Sequence, residues 1–188
     1  MILRVIAKSI LRVNGWESVG GLPVEKKAVL IAAPHTSNWD GFWLLVYKVA
    51  TGLNVHFLAK HTLFWWPLGT LLRALGAKPL DRSAGTDIVR QVARGFDTHD
   101  SYYLALAPEG TRSWRPHWKS GFYRIAMAAN VPVIMGFIDY RTKRMGLGDS
   151  ITLSGNEDED MAVIAKFYEP LSGRHPALRS PIKLGPSR

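Results

Sequence analysis

The chain has 188 residues, of which 47% are hydrophobic and 21% charged, a composition typical of one soluble globular domain. It contains no cysteine, which excludes disulfides, zinc–thiolate sites and thiol nucleophiles and is compatible with a cytosolic location. Its formal net charge of +9 indicates an anionic partner, such as nucleic acid, an anionic bilayer or a phosphorylated substrate, although solvated surface charge explains it equally well.

The first element is a basic amphipathic helix. Residues 1–13, MILRVIAKSILRV, have helical periodicity, with Arg4, Lys8 and Arg12 on one stripe, and Asn14-Gly15 ends the pattern. Two interpretations remain open for this N-terminal segment, residues 1–20. The helix either packs on the core with solvated charges or lies on an anionic membrane surface.

No targeting or membrane-spanning segment is expected. The N-terminus lacks an apolar stretch that ends in a small-residue cleavage site. The best apolar run, residues 42–53, is too short to cross a bilayer and is interrupted by Lys48.

The middle of the chain alternates between strand and helix patterns. Strands are predicted at residues 28–33, 55–59, 78–80, 102–107, 131–139 and within 143–153, and helices at 38–50, 63–75, 86–96, 121–130 and 158–168. This alternation predicts a single α/β domain, residues 21–170, with a largely parallel or mixed twisted sheet flanked by helices. The basic, proline-containing tail, residues 171–188, is predicted to be poorly ordered.

Two polar loops follow predicted strands. One is PHTSNWD, residues 34–40, after the first strand, and the other is APEGTRS, residues 107–113. Active sites in open α/β sheets lie beyond the carboxyl ends of the strands. We therefore expect both loops at one end of the sheet.

The first loop contains a potential acid–base pair. Asp40 lies in the first turn of the next predicted helix, with Ser37 or Asn38 as N-cap, and can reach back to one imidazole nitrogen of His35. The other nitrogen is then free to take a proton from a hydroxyl. There is no Gly-x-Ser-x-Gly motif, so the pair suits direct attack by a substrate hydroxyl on an activated acyl group. A loop-capping role for His35 is the alternative.

The second loop has the composition of an anion site. Gly110 permits a tight turn, Thr111 and nearby amides can donate to an oxyanion, and Arg112 can pair with a phosphate. Glu109 can orient Arg112 or another cation, and Arg82 offers a second phosphate contact. Surface salt bridges are the alternative for both arginines.

The order of these motifs resembles the glycerolipid acyltransferase family, in its lysophosphatidate acyltransferase-like, compact bacterial form. The four family blocks are His-x4-Asp, a glycine-rich stretch that ends in arginine, Pro-Glu-Gly-Thr-Arg-Ser and a Val-Pro-hydrophobic strand. They occur here at residues 35–40, 76–82, 108–113 and 131–134. The resemblance covers about residues 28–140.

The resemblance implies transfer of a fatty acyl group from an acyl-coenzyme A or acyl-carrier-protein thioester, with no bound cofactor. The acceptor would be a hydroxyl of a lysophospholipid or related phosphorylated compound, and the role would be in phospholipid biosynthesis. His35 would be the general base and Asp40 its partner. The resemblance associates five positions with the acceptor's phosphate: Arg82, Glu109, Gly110, Thr111 and Arg112. Lys60, at the end of the second strand, matches a position that is commonly basic in the family and is a further candidate for substrate binding. The resemblance also implies an anionic membrane surface as partner and a cytoplasmic, peripheral location at the inner membrane face.

The chain departs from the family pattern at three places. Pro34 stands where asparagine is common, Met135 replaces the second proline of the fourth block, and the N-terminal membrane segment is reduced to the amphipathic helix. The motifs therefore do not identify the acceptor.

Aromatic residues are concentrated between the two loops. Phe64, Trp65 and Trp66 either pack in the core or line an acyl groove or membrane interface, and Trp114 and Trp118 fit the same alternatives.

A non-catalytic lipid-binding module is the main alternative function. Nucleic-acid binding ranks low because no interleaved basic–aromatic motif is present. No His-Glu-x-x-His motif or carboxylate cluster supports a metal hydrolase.

Overall fold

The computed structural model describes residues 1–80 and 88–186, without the side chains of Lys60 and Leu80. These residues form a single α/β domain in which a mixed seven-stranded sheet is flanked by six helices, as predicted. The strands are β1 (Glu17–Val19), β2 (Lys27–Ala33), β3 (Val55–Lys60), β4 (Ala77–Leu80), β5 (Tyr102–Leu106), β6 (Val133–Asp139) and β7 (Arg144–Ile151). The helices are α1 (Ile2–Val13), α2 (Asn38–Thr51), α3 (Leu68–Ala74), α4 (Ile88–Asp97), α5 (Gly121–Ala129) and α6 (Glu157–Tyr168).

Strand β2 lies at the centre of the sheet. The strand order is β1-β7-β6-β2-β5-β3-β4, and β6, β2, β5, β3 and β4 are parallel. Strand β7 is antiparallel to β6, and β1 is parallel to β7. Ile31 of β2 pairs with Leu106 of β5, so the loops that follow these two strands leave the sheet at the same edge, as expected.

Burial of β2 on both faces explains its uninterrupted apolar sequence. Val29 and Ile31 belong to the core shared with α4, α5 and α6, whereas Ala28 and Leu30 face the opposite side of the sheet. A strand covered on both faces needs no polar residues at alternate positions. The central strand is therefore held rigidly beneath the loop that begins at Pro34.

Helix α1 packs on the domain and still exposes apolar side chains. Ala7 and Leu11 are buried against α2, whereas Ile2, Ile6 and Val13 on another side of the helix are exposed. The basic residues are exposed as well: Arg4, Lys8 and Arg12. The two interpretations of this helix are therefore compatible, because core packing uses only one of its faces. No helix within the described ranges is long and apolar enough to cross a bilayer.

Two elements differ from the sequence-based prediction. The predicted helix at 63–75 is instead a 3-10 turn at His61–Leu63 followed by α3, which begins at Leu68. Pro67 accounts for the break, because proline lacks an amide hydrogen and disfavours helical geometry in the residue before it. The short edge strand β1 was not predicted. Helix α4 is described from Ile88 onward, two residues after the predicted start.

The C-terminal segment packs against the domain, although its composition indicates poor order. The Trp118 amide donates to the Lys183 carbonyl at 2.8 Å, and the Gly185 amide donates back to Trp118 at 3.2 Å. Ile182 and Leu184 contact the core. Tertiary contacts of this kind leave no periodic pattern in a segment rich in proline and basic residues.

Candidate active site

The two polar loops meet beyond the central strands. The backbone amide of His35, which follows β2, donates to Oε1 of Glu109, which follows β5, at 3.0 Å. Parallel pairing of the two strands brings these residues together, although they lie 74 positions apart in the sequence.

Asp40 holds the imidazole of His35. The distance between His35 Nδ1 and Asp40 Oδ2 is 3.1 Å. Asp40 is buried, whereas the side chain of His35 is 21% exposed and its Nε2 has no hydrogen-bond partner among the described residues. One ring nitrogen is thus held by the carboxylate and the other is available to a substrate. The capping contacts at this helix end come from Ser37 and Asp40.

The N-terminus of α2 explains the spacing of the pair. Ser37 is the N-cap residue and its hydroxyl accepts from the Trp39 amide at 3.2 Å. Asp40, at the third helical position, accepts from the Ser37 amide at 2.9 Å, which completes a capping box. The same Oδ2 accepts from the Thr36 amide at 2.8 Å. Capping therefore turns the carboxylate back toward His35.

Asp40 remains ionised in this buried position. Burial, the largest influence, acts to raise the pKa of Asp40, but hydrogen bonds from His35 and Tyr140 and from the Ser37 amide outweigh it. The pKa of Asp40 is therefore lowered. An anionic partner at Nδ1 favours a proton on that nitrogen and leaves Nε2 as the acceptor.

Tyr140 completes the network and was missed by the sequence analysis. Its hydroxyl donates to Asp40 Oδ1 at 2.7 Å. Burial and then the hydrogen bond to Asp40 raise the pKa of Tyr140, which keeps it a neutral donor. The only signal in the sequence is its position directly after β6, at the same edge of the sheet as His35.

Glu109 accepts a hydrogen bond from the backbone of the histidine loop. It is buried, and while Oε1 accepts from the His35 amide, Oε2 has no hydrogen-bond partner among the described residues. Burial is the largest influence on this carboxyl and raises its pKa. The resemblance associates Glu109 with the acceptor's phosphate, whereas in the structure its hydrogen bond is to the backbone of the candidate base.

The remaining residues of this loop form an exposed turn. Gly110 has a φ of +64°, a conformation that favours glycine, and the side chain of Lys119 lies directly over it. The Thr111 hydroxyl accepts from the Ser113 amide at 3.3 Å. Arg112 is exposed and forms no ion pair with the described residues. Lys119, an exposed cation above the turn, was not among the predicted site residues.

Two predicted contacts are not placed by the structure. Arg82 lies outside the described residues, and Lys60 is described only through its backbone, which ends β3. In the described part of the chain, no group of histidine and carboxylate side chains is arranged to hold a metal ion.

Comparison with known proteins identifies the family. A sequence model of the acyltransferase family matches residues 11–135, well over half of the chain. The chain belongs to the acyltransferase family. The crystal structure of PlsC, the 1-acyl-sn-glycerophosphate acyltransferase of Thermotoga maritima, is similar to this acyltransferase with a TM-score of 0.62. The two are 17% identical, and the match covers 89% of this chain and 77% of that one, which shows a shared fold. No curated protein gives a significant sequence match.

Exposed aromatic side chains follow strands β3 and β5 of this acyltransferase. Trp65 and Trp66, between the 3-10 turn and α3, are 59% and 83% exposed, and Trp114 is also exposed. Phe64 is half-buried, and the guanidinium carbon of Arg73 lies 5.2 Å from the centre of the Phe64 ring. Trp118, by contrast, is a core residue. Core packing therefore holds for Trp118, whereas Trp65, Trp66 and Trp114 do not pack in the core.

The buried carboxyl of Glu109 predicts a pH-dependent stability effect. Because its pKa is raised in the fold above the ordinary value of 4.5, the folded state holds this proton more tightly than the unfolded state does. Ionisation of Glu109 above pH 4.5 therefore lowers the free energy of unfolding of the wild type. The free energy of unfolding of the wild type minus that of Glu109→Gln should fall as pH rises from about 4.5 through the raised pKa.

Urea unfolding of both proteins at a series of pH values would measure this difference. The exposed Glu169→Gln is the matched control for loss of a carboxylate. A difference that grew with pH would contradict the proposed burial of an ionisable group at Glu109.

Proposed function

We propose that this protein transfers a fatty acyl group from a thioester to a hydroxyl of a lysophospholipid-type acceptor. The observation that carries the proposal is the His35–Asp40 pair, with its Nδ1–Oδ2 distance of 3.1 Å and its partly exposed ring at the carboxyl edge of the parallel strands. Membership of the acyltransferase family supports the reaction class.

The pair acts as a general base. Nε2 of His35 removes the proton from the acceptor hydroxyl as its oxygen attacks the thioester carbonyl carbon. The resulting tetrahedral oxyanion collapses, the carbon–sulfur bond breaks, and the thiolate leaves with the proton from the imidazolium. Asp40 stabilises that imidazolium while it exists, and Glu109 keeps the backbone of His35 fixed through both steps.

The turn at 110–112 fits the phosphate of the acceptor. Arg112 is exposed and has no ion-pair partner among the described residues, and the positive φ of Gly110 permits the tight turn before it. Arg82 is proposed as a further phosphate contact, and Lys60 as a further substrate contact, on the basis of the family resemblance alone. The donor is acyl-coenzyme A or an acyl-carrier protein, and no bound cofactor takes part.

Two exposed surfaces of the protein suit a membrane. Helix α1 presents Ile2, Ile6 and Val13 next to its basic stripe, and Trp65 and Trp66 add exposed aromatic surface. Amphipathic helices with basic faces bind anionic interfaces, and tryptophan favours the headgroup region. We place the enzyme at the inner face of the cytoplasmic membrane, bound peripherally, where its lipid acceptor would be found.

Replacement of the base should abolish turnover without unfolding the protein. His35→Ala should lower the rate of acyl transfer by about two to four orders of magnitude, the usual contribution of a general base. The rate would be measured as thiol release, detected with a disulfide dye. Palmitoyl-coenzyme A or an acyl-carrier protein would be the donor, and a panel of lysolipids would be the acceptors. The chain contains no cysteine to contribute background.

His99→Ala is the matched control, because His99 is an exposed histidine that follows α4 and precedes β5, at the other edge of the sheet. Full activity in a folded His35→Ala variant would rule out the mechanism. Vesicle binding by the wild type without turnover, for both donors and the whole acceptor panel, would favour the non-catalytic lipid-binding module.

Membrane binding should have an electrostatic and an apolar component. Replacing Arg4, Lys8 and Arg12 by glutamine should each weaken binding to phosphatidylglycerol vesicles about fivefold at low salt, since a basic residue contributes about 1 kcal/mol there. The effect should shrink at high salt because surface charges are screened. Removing Trp65 and Trp66 together should weaken binding at either salt concentration.

Sedimentation with vesicles measures both components. Val163→Ala and Met127→Ala are matched controls, because both side chains are exposed and apolar but lie on α6 and α5. Equal losses in the controls would show that binding does not specifically use α1 and the exposed tryptophans.

A further inference from the structure

The C-terminal segment after α6 crosses the edge of the candidate active site. The Ser172 carbonyl accepts from the Tyr140 amide at 2.9 Å, and the Ser172 amide donates to Asp139 Oδ1 at 3.0 Å. Two residues beyond Gly173, the His175 amide donates to Thr36 Oγ1 at 3.1 Å. The segment is thus fastened on both sides of Arg174, to the end of β6 and to the histidine loop.

Gly173 lets this segment approach the loop closely. It is buried, and a Cβ atom at this position would lie 2.6 Å from Thr36 Oγ1. Only a residue without a side chain fits against Thr36 here without displacing it. The path of the backbone is therefore determined at the residue that precedes Arg174.

Arg174 is held by an aromatic side chain next to the candidate base. Its guanidinium carbon lies 5.6 Å from the ring centre of Trp39, a cation–π contact with the helix that also contributes Asp40. Arg174 is exposed and forms no ion pair with the residues that the structure describes. Within the described ranges, no carboxylate therefore accepts from the N–H donors of the Arg174 guanidinium.

The position of this guanidinium connects it to the catalytic network. It lies beside the Tyr140 hydroxyl, whose pKa it acts to lower against the larger raising effects of burial and of Asp40. Tyr140 in turn donates to Asp40, the partner of His35. A guanidinium stacked on an aromatic ring presents a fork of donors that matches the oxygens of a phosphate.

We propose that Arg174, stacked on Trp39 and fixed by the C-terminal segment, binds a lipid phosphate group beside the His35–Asp40 pair. The proposal rests on the proposed acyl transfer for its biological meaning. Arg174 contacts the helix that contributes Asp40, whereas Arg112 belongs to the loop of Glu109. Trp39 lies within residues 11–135, the range that matches the family, and Arg174 lies outside it. The phosphate belongs either to the acceptor or to a neighbouring lipid of the bilayer.

The first arm of the test is equilibrium binding without thioester or vesicles, so it does not depend on turnover. Calorimetry would compare a short-chain soluble acceptor, 1-hexanoylglycerol 3-phosphate, with its phosphate-free counterpart. Arg174→Gln should weaken binding of the phosphorylated compound about tenfold, as expected for loss of a charge-assisted hydrogen bond, and leave the other unchanged. Arg174→Lys should recover only part of the loss, because it keeps the charge without the planar fork.

The second arm measures binding to phosphatidylglycerol vesicles and identifies the source of the phosphate. Loss of vesicle affinity with unchanged binding of the soluble compound assigns the phosphate to a neighbouring lipid, and the reverse assigns it to the acceptor. Arg94→Gln, an exposed arginine in the last turn of α4, is the matched control, and Arg112→Gln is the comparator from the other loop.

Two results would overturn the proposal. One is Arg174→Gln behaving like the Arg94 control in both arms. The other is an equal loss for the phosphorylated and phosphate-free compounds, which would indicate a structural role for the segment. If the proposed acyl-transfer mechanism were wrong, His35→Ala would remain fully active. Arg174→Gln would still weaken binding of the phosphorylated compound in that case, so the two failures can be distinguished.

Discussion

The structure of the site depends on the carboxylate of Asp40. One oxygen accepts from the imidazole of His35 and from the amides of Thr36 and Ser37, and the other accepts from Tyr140. Hydrogen bonds compensate for the hydration that this buried carboxylate loses, and the same carboxylate caps the N-terminus of α2. The interactions that begin α2 therefore also orient the imidazole, so the geometry of the candidate base depends on the helix N-terminus.

The pairing of strands in the sheet adds a second contact to His35, which the capping box does not provide. Because β2 and β5 are parallel neighbours, Glu109 emerges next to His35 and accepts its amide hydrogen. The candidate base, His35, is thus held by its ring through Asp40 and by its backbone through Glu109. Both carboxylates are buried, yet only Asp40 has enough donors around it to lower its pKa, whereas burial dominates at Glu109 and raises it. The two acidic residues have different roles because their hydrogen-bond environments differ.

Local patterns predicted much of the fold and part of the site. The strand–helix alternation gave the sheet and its flanking helices, and the spacing of His35 and Asp40 could be interpreted because a capping box is encoded within a few residues. Tyr140 lies 100 positions from Asp40, and no periodicity connects the two. The same holds for the C-terminal segment, whose contacts with the histidine loop arise from tertiary packing. Its content of proline and basic residues indicated disorder, because composition gives no information about contacts that are made mainly through the backbone.

The hydrogen bond between His175 and Thr36 spans 139 positions in the sequence. An emerging chain cannot form this contact until almost all of the domain has been synthesised. Because a single domain generally folds as a unit, the hydrogen bonds around Asp40 and the contact of the C-terminal segment with Thr36 are completed together. The candidate base and the binding surface beside it would therefore appear at the same late stage of translation.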